Sequence, residues 1–253
     1  MKINDLVTRN KYDNDIIFRI IDIKENKAIL KGEVVRLIAD SILSDLRLFS
    51  LEEKKTLTLP KIKEEHNLLK GKILHIDGDE YYLKKAMDAY SKYNIEAIGY
   101  YIKESEIPYK IEALLRKHRP DIVVITGHDA YYPNKNKEDI SAYKNSIYYI
   151  EAVKKCREFN PNKDDLIIIS GACQSYYEML IKEGSNFASS PTRSNIHLLD
   201  PIIDASFIAN YRISEKIDIE YILSNTISKS LGGIESIGKA RKLFVGGKWH
   251  VNA

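Results

Sequence analysis

Cysteine is scarce: the 253 residues contain two. Two are too few for a disulfide framework, so a reducing compartment is expected. Neither sign of charge dominates. Thirty-nine Lys and Arg stand against 36 Asp and Glu, a net +3, too small an excess to neutralise a phosphate backbone. No nucleic-acid partner is expected. No apolar run approaches membrane-spanning length, and the opening stretch MKINDLVTRNKYDND has no apolar core of signal-peptide length. The expectation is a cytoplasmic protein with no membrane partner. No His, Cys, Asp or Glu group has zinc spacing. The stretch SKSLGGIESIGKAR holds three glycines but lacks the strand-then-Gly-x-x-x-x-Gly-Lys order of a phosphate loop. Neither metal nor cofactor is expected. Tryptophan occurs once against seventeen tyrosines, and nothing functional follows from that.

What is present is an ordinary globular composition, 44% apolar and 30% charged, enough for a sizeable core. Residues 1–60 read as short β segments. IIFRIIDIK, the turn ENK and AILKGEVVRLI make a hairpin pair, and a small half-open barrel of the SH3 or Tudor type is expected. Its charge is balanced, eleven Lys and Arg against ten Asp and Glu. Residues 61–71, charged and preceded by Pro60, read as a linker.

Residues 72–253 alternate strand and helix. KILHID, IEAIGYYI, DIVVIT and DLIIIS are the strands. EYYLKKAMDAYSKY, PYKIEALLRKH and NSIYYIEAVKKCREF are the helices between them. This order predicts a parallel sheet with right-handed crossovers and helices on both faces. Ligands on such sheets bind outside the carboxyl ends of the strands. Asp77, His128 and Cys173 are each the first polar or reactive group after an apolar strand, so all three should reach one edge.

Cys173 ends a strand through Gly171-Ala172, and a helix beginning near Gln174 is expected to follow. A thiol at such a helix N-terminus has its thiolate favoured, and small residues let a substrate approach. Cys173 is thus either a nucleophile or a small buried hydrophobe. Cys156 lies mid-helix between Lys155 and Arg157 and reads as structural. His128, in Gly127-His128-Asp129, should be exposed on the ligand edge. With one crossover between their strands, His128 and Cys173 form a candidate base–nucleophile pair.

The arrangement of apolar strand and His, then helix, then apolar strand and Ala-Cys resembles the caspase-like cysteine peptidases of clan CD, such as legumain, clostripain and gingipain. The resemblance implies a thiolate attacking a peptide carbonyl. It also implies an oxyanion held by backbone N–H groups around Gly127, Asp129 and Ala172. One departure is that those enzymes usually have His-Gly, whereas this chain has Gly-His-Asp, so the amide at Asp129 takes the glycine's place.

A second resemblance runs over nearly the whole chain. KGEVVRLIADSILSDL, KILHIDGDEYYLKKAMDAY, PDIVVITGHDAYY, NTISKSLGGIESIGKAR and the long run from Gly171 to Pro201 are similar to motifs of the YabG family of sporulation-specific peptidases of spore-forming Firmicutes. The resemblance implies a cysteine endopeptidase of the mother cell, associated with the forming spore coat. Its substrates would be spore coat and cortex-associated precursor proteins, cut after basic residues, chiefly Arg. It places the nucleophile on Cys173 and the base on His128.

Reading a substrate Arg calls for an acid. Asp77 or Asp79, at the end of the first strand of the sheet, is the expected floor of that pocket. Asp77 is favoured because Asp79 is also a natural N-cap for EYYLKKAM, and Asp129 and Asp200 stand in reserve. Ser189 and Ser190, after the strand-like GSNFASS, could pair with an extended substrate. His197 and Asp200 could support the site or belong to a polar turn. Two other readings remain. A glutaminase-like amidase would use Cys173 with His250, and a coat-assembly scaffold would use no catalytic residue.

Overall fold

The computed structural model describes residues 1–50, 58–62, 69–212 and 215–229. The chain divides into two compact units, Met1–Leu59 and Pro60–Ala253. The first is an antiparallel sheet of β1 (Leu6–Arg9), β2 (Phe18–Lys24), β3 (Lys27–Gly32), β4 (Ile38–Ile42) and β5 (Leu46–Leu48), in the order β4-β3-β2-β1-β5. Strand alternation turns Val7, Phe18, Ile20, Leu30 and Leu46 into one core. Lys24 pairs with Lys27, leaving a two-residue turn in which Glu25 takes a φ of 53°, as the tight turns of hairpins require. The register slips between Ile20 and Asp22, and this bulge leaves Ile21 exposed.

The second unit is an α/β layer built on β6 (Ile73–Asp77), β7 (Ala97–Tyr101), β8 (Ile122–Thr126), β9 (Ile167–Ser170) and β10 (Phe187–Ala188). All pair in parallel, in the order β10-β9-β8-β6-β7. The helices are α1 (Glu80–Lys92), α2 (Ile107–His118), α3 (Ser146–Phe159), α4 (Tyr177–Lys182), α5 (Asp200–Ala209) and α6 (Ile219–Asn225). Leu74, Ile76, Val123, Ile125 and Ile168 point to one face and share a core with α2 and α3. Burying each such side chain contributes about 1.5–3 kcal/mol. The alternate residues face the other way, towards α1 and α5, which pack against β6 and β8. On that face the period of two places His75, Asp77 and Thr126, all fully buried or nearly so.

Two elements are shorter than the sequence suggests. The helix after Cys173 begins only at Tyr177 and runs six residues. The segment before it is held by other bonds: Ser175 Oγ donates to Asp129 Oδ2 at 2.9 Å, and the Tyr176 N–H donates to Ser146 Oγ at 2.8 Å. The strand expected in GSNFASS is two residues long, Phe187–Ala188.

Candidate active site

The carboxyl ends of β6, β8 and β9 lie side by side, because β8 pairs with both of its neighbours. Each strand ends in a turn that needs glycine for space or conformation. A Cβ on Gly78 would lie 2.2 Å from Glu104 Oε1, and one on Gly127 would lie 2.7 Å from the same atom and 2.5 Å from Tyr149 Oη. Gly171 takes a φ of +102°, a conformation other residues enter at a cost.

His128 is held on every side but one. Its backbone N–H donates to Glu104 Oε1 at 2.8 Å. Its carbonyl accepts from Asn145 Nδ2 at 2.8 Å and from the Tyr149 hydroxyl at 3.1 Å. Its Nε2 lies 2.8 Å from Asp79 Oδ2, the two side chains being 25% and 12% exposed. The ring of buried Tyr82 sits 5.7 Å away, centroid to centroid. Among the described residues Nδ1 has no hydrogen-bond partner. It is the ring nitrogen left to exchange a proton.

Cys173 belongs to the next loop, and the two loops are laced together. Gln174 Oε1 accepts from the Tyr131 N–H at 3.1 Å, and Asp129 Oδ2 accepts from both Ser175 Oγ and Ser146 Oγ. Gln174 itself has a φ of 65°. Burial raises the carboxyl pKa of Asp129, and its hydrogen bonds from Ser146, Asn145, Ser175 and Ala130 oppose that rise. The thiol is only 2% exposed. It packs with Ile196 and Leu223, with Sγ 3.9 Å from the Ile196 carbonyl oxygen. A direct helix-dipole effect on Cys173 does not hold here, because the short α4 starts four residues beyond it and the effect fades within a turn.

The backbone donors divide. The Ala172 N–H is taken by Ser175 Oγ at 2.9 Å, so it is not free for an oxyanion. The Asp129 N–H has no partner among the described residues. Gly127 supplies close packing against Glu104 and Tyr149.

The pocket residues expected from the sequence lie elsewhere than at an open floor. Asp77 is fully buried, with Oδ2 accepting from Thr126 Oγ1 and Oδ1 from the Asp79 N–H, both at 2.9 Å. Both carboxylate oxygens thus have partners inside the protein. Asp79 caps α1 by accepting from the Tyr81 N–H while also meeting His128. Ser189 and Ser190 are buried. Their hydroxyls turn inward to the carbonyls of Gly171 and Ser194, so neither side chain faces an incoming peptide. His197 is neighbour to the cover of the thiol, and burial and then Lys85 lower its pKa to about 4. Asp200 accepts from the Ile227 and Ser228 N–H groups, which makes it part of a polar turn. His250 lies outside the described residues. Among the described residues no group of three or more His, Cys, Asp or Glu could hold a metal, and no helix is long and apolar enough to cross a membrane. Glu104 is the functional neighbour the sequence reading missed. Its only signal was two glycines, Gly78 and Gly127, placed after strands.

The model of the family described as YabG peptidase U57 matches residues 2–70 and 51–245. The sporulation-specific protease YabG of Bacillus subtilis (strain 168) is 40% identical over 279 residues, covering 95% of this chain and 96% of that protein. The chain belongs to the YabG peptidase family of sporulation proteases.

Proposed function

We propose that the protein is a cysteine endopeptidase of caspase-like type, with Cys173 as nucleophile and His128 as general base. The observation that carries this reading is the placement of a fixed imidazole, with Nδ1 unpartnered among the described residues, on the loop bonded through Asp129 and Tyr131 to the loop of Cys173. In the reaction His128 Nδ1 takes the thiol proton and the thiolate adds to the scissile carbonyl. The Asp129 N–H serves the oxyanion. The imidazolium then protonates the leaving amine, and water cleaves the thioester with His128 again as base.

The substrates proposed are spore coat and cortex-associated precursor proteins, cut after basic residues, chiefly Arg, in the mother cell and at the forming coat. The N-terminal sheet unit is proposed to bind protein or to gate the active site, and not to bind nucleic acid, because its charges are balanced and phosphate neutralisation needs clustered Lys and Arg. Incubating a coat precursor with the wild type, Cys173→Ala and His128→Ala tests the dyad. Both variants should lose cleavage, and full activity in Cys173→Ala would end the proposal. Peptides differing only in the residue before the cut test the Arg preference, which fails if a neutral residue is cut equally well.

A further inference from the structure

Asp79 carries two bonds that pull on different elements. Oδ1 accepts the Tyr81 N–H at 3.0 Å and caps α1, and Oδ2 meets His128 Nε2 at 2.8 Å. Its backbone is anchored as well, since the Asp79 N–H donates to Asp77 Oδ1. Behind Asp77 runs a chain of fully buried groups. Thr126 Oγ1 donates to Asp77 Oδ2. A hydroxyl has one proton, so towards His75 Nε2, 3.0 Å away, Thr126 is the acceptor. His75 Nε2 therefore carries the proton, and in the neutral ring Nδ1 accepts from the Tyr90 hydroxyl, 2.9 Å away. Every bond in the series points one way, from Tyr90 through His75 and Thr126 to Asp77.

The geometry points to Asp79 as the positioning residue of His128, with the buried chain Tyr90–His75–Thr126–Asp77 holding Asp79 in place. The inference rests on the reading of Cys173 and His128 as nucleophile and base. A carboxylate on Nε2 selects the tautomer with its proton there, so the lone pair sits on Nδ1. The thiol proton moves to Nδ1, giving a thiolate and an imidazolium, and the fixed negative charge of Asp79 stabilises that imidazolium. When Nδ1–H passes to the leaving amine, the ring returns to the neutral Nε2–H form. Asp79 itself gains no proton. The interior chain matters because a turn residue on its own could swing its carboxylate into solvent. Charge-assisted hydrogen bonds in a dry setting resist that rotation.

The competing role is helix capping alone, and substitutions separate the two. Asn caps a helix as well as Asp does, so Asp79→Asn keeps the start of α1 and removes the charge on Nε2. Ser also caps but is too short to reach His128. The assay is steady-state cleavage of a fluorogenic peptide with Arg before the cut, with kcat taken per mole of folded protein and thermal unfolding followed in parallel. Positioning predicts that Asp79→Asn and Asp79→Ser lower kcat by about 10²-fold with KM unchanged, at the low end of the effects seen for general acid–base groups. Thr126→Val, which cuts the buried chain behind Asp77, should lower kcat by a smaller factor with KM unchanged. Wild-type kcat in both Asp79 variants, while Cys173→Ala and His128→Ala are inactive, overturns the inference and leaves the dyad standing. A raised KM with unchanged kcat also overturns it, since Asp79 would then be touching substrate. Wild-type kcat in Thr126→Val removes the chain from the device. Wild-type activity in His128→Ala overturns the dyad itself, whatever Asp79 does.

Discussion

A single methyl group at Gly127 should disturb two of the three clamps on the backbone of His128. A Cβ there would sit 2.5 Å from Tyr149 Oη and 2.7 Å from Glu104 Oε1, well inside contact distance. Tyr149 donates to the His128 carbonyl at 3.1 Å, beside Asn145 Nδ2 at 2.8 Å, and Glu104 accepts from the His128 N–H at 2.8 Å. Glu104 can swing away, because the clash is at the far end of a flexible side chain, but doing so abandons the His128 N–H. Tyr149 cannot, being fully buried in the core beneath. Overpacking of this kind costs about 1–3 kcal/mol. Loss of one hydrogen bond to a carboxylate adds roughly 1.5–3 kcal/mol, reduced here because Glu104 is half-buried. A total of about 2–4 kcal/mol in a unit of this size corresponds to a Tm lower by roughly 5–15 °C. The assay is thermal unfolding of Gly127→Ala beside peptide cleavage at a temperature where the variant is folded. Activity should fall further than the folded fraction does, because His128 shifts along with its clamps. An unchanged Tm, or activity that merely tracks the folded fraction, would refute the reasoning.

Three further outcomes follow from buried groups. Asp204 on α5 is buried, with Oδ1 lacking a partner among the described residues, and burial and then Asp200 raise its pKa well above 3.8. The folded state thus holds a proton that the unfolded state releases. That stabilising contribution is complete below pH 3.8 and is lost as pH climbs through the folded value. Asp204→Asn should therefore gain in Tm over the wild type progressively from pH 4 to pH 7, and a difference independent of pH would contradict this. Arg157 donates to the carbonyls of Gly184, Asn160 and Leu166 and to Asn186 Oδ1, while burial lowers its pKa to about 10. Lys cannot reproduce that fork, so Arg157→Lys should lose about 1.5–3 kcal/mol in urea unfolding, and a loss under 1 kcal/mol would discount the network. Burial pushes the Cys156 thiol up to about 12, so native protein should resist iodoacetamide at this position, as peptide mapping would show, and Cys156→Ala should keep its peptidase activity.

The parallel sheet was legible because its strands are apolar runs capped by Gly and its helices carry their own signals, such as Pro108 in the first turn of α2. The neighbourhood of His128 and Cys173 followed from one crossover between their strands. Asp79 as a cap could be read from Asp-Gly-Asp before a helical pattern, but its bond to His128 spans 49 positions and has no local trace. In KILHID the polar residues His75 and Asp77 stand two apart, which places both on one face of the strand. That pattern contains two members of the buried network. The helix after Cys173 was read too long because propensity says nothing of Asp129 and Ser146, which take up the polar groups of residues 175 and 176.

The two halves of the proposed dyad are held by different kinds of force. His128 is fixed by directional bonds to four side chains, those of Glu104, Asn145, Tyr149 and Asp79. Such bonds tolerate little displacement before they are lost. Cys173 has its backbone turn pinned through Ser175 and Gln174, and its side chain packs with apolar Ile196 and Leu223. A sulfur 3.9 Å from a carbonyl oxygen adds little, since S–H is a weak donor. Apolar cover is non-directional, and uncovering one such side chain costs at most about 1.5–3 kcal/mol. A bound peptide that replaces Ile196 and Leu223 with its own apolar surface recovers much of that cost. In the proposed dyad the imidazole is set before substrate arrives, while a peptide reaches Cys173, 2% exposed, only where Ile196 and Leu223 give way.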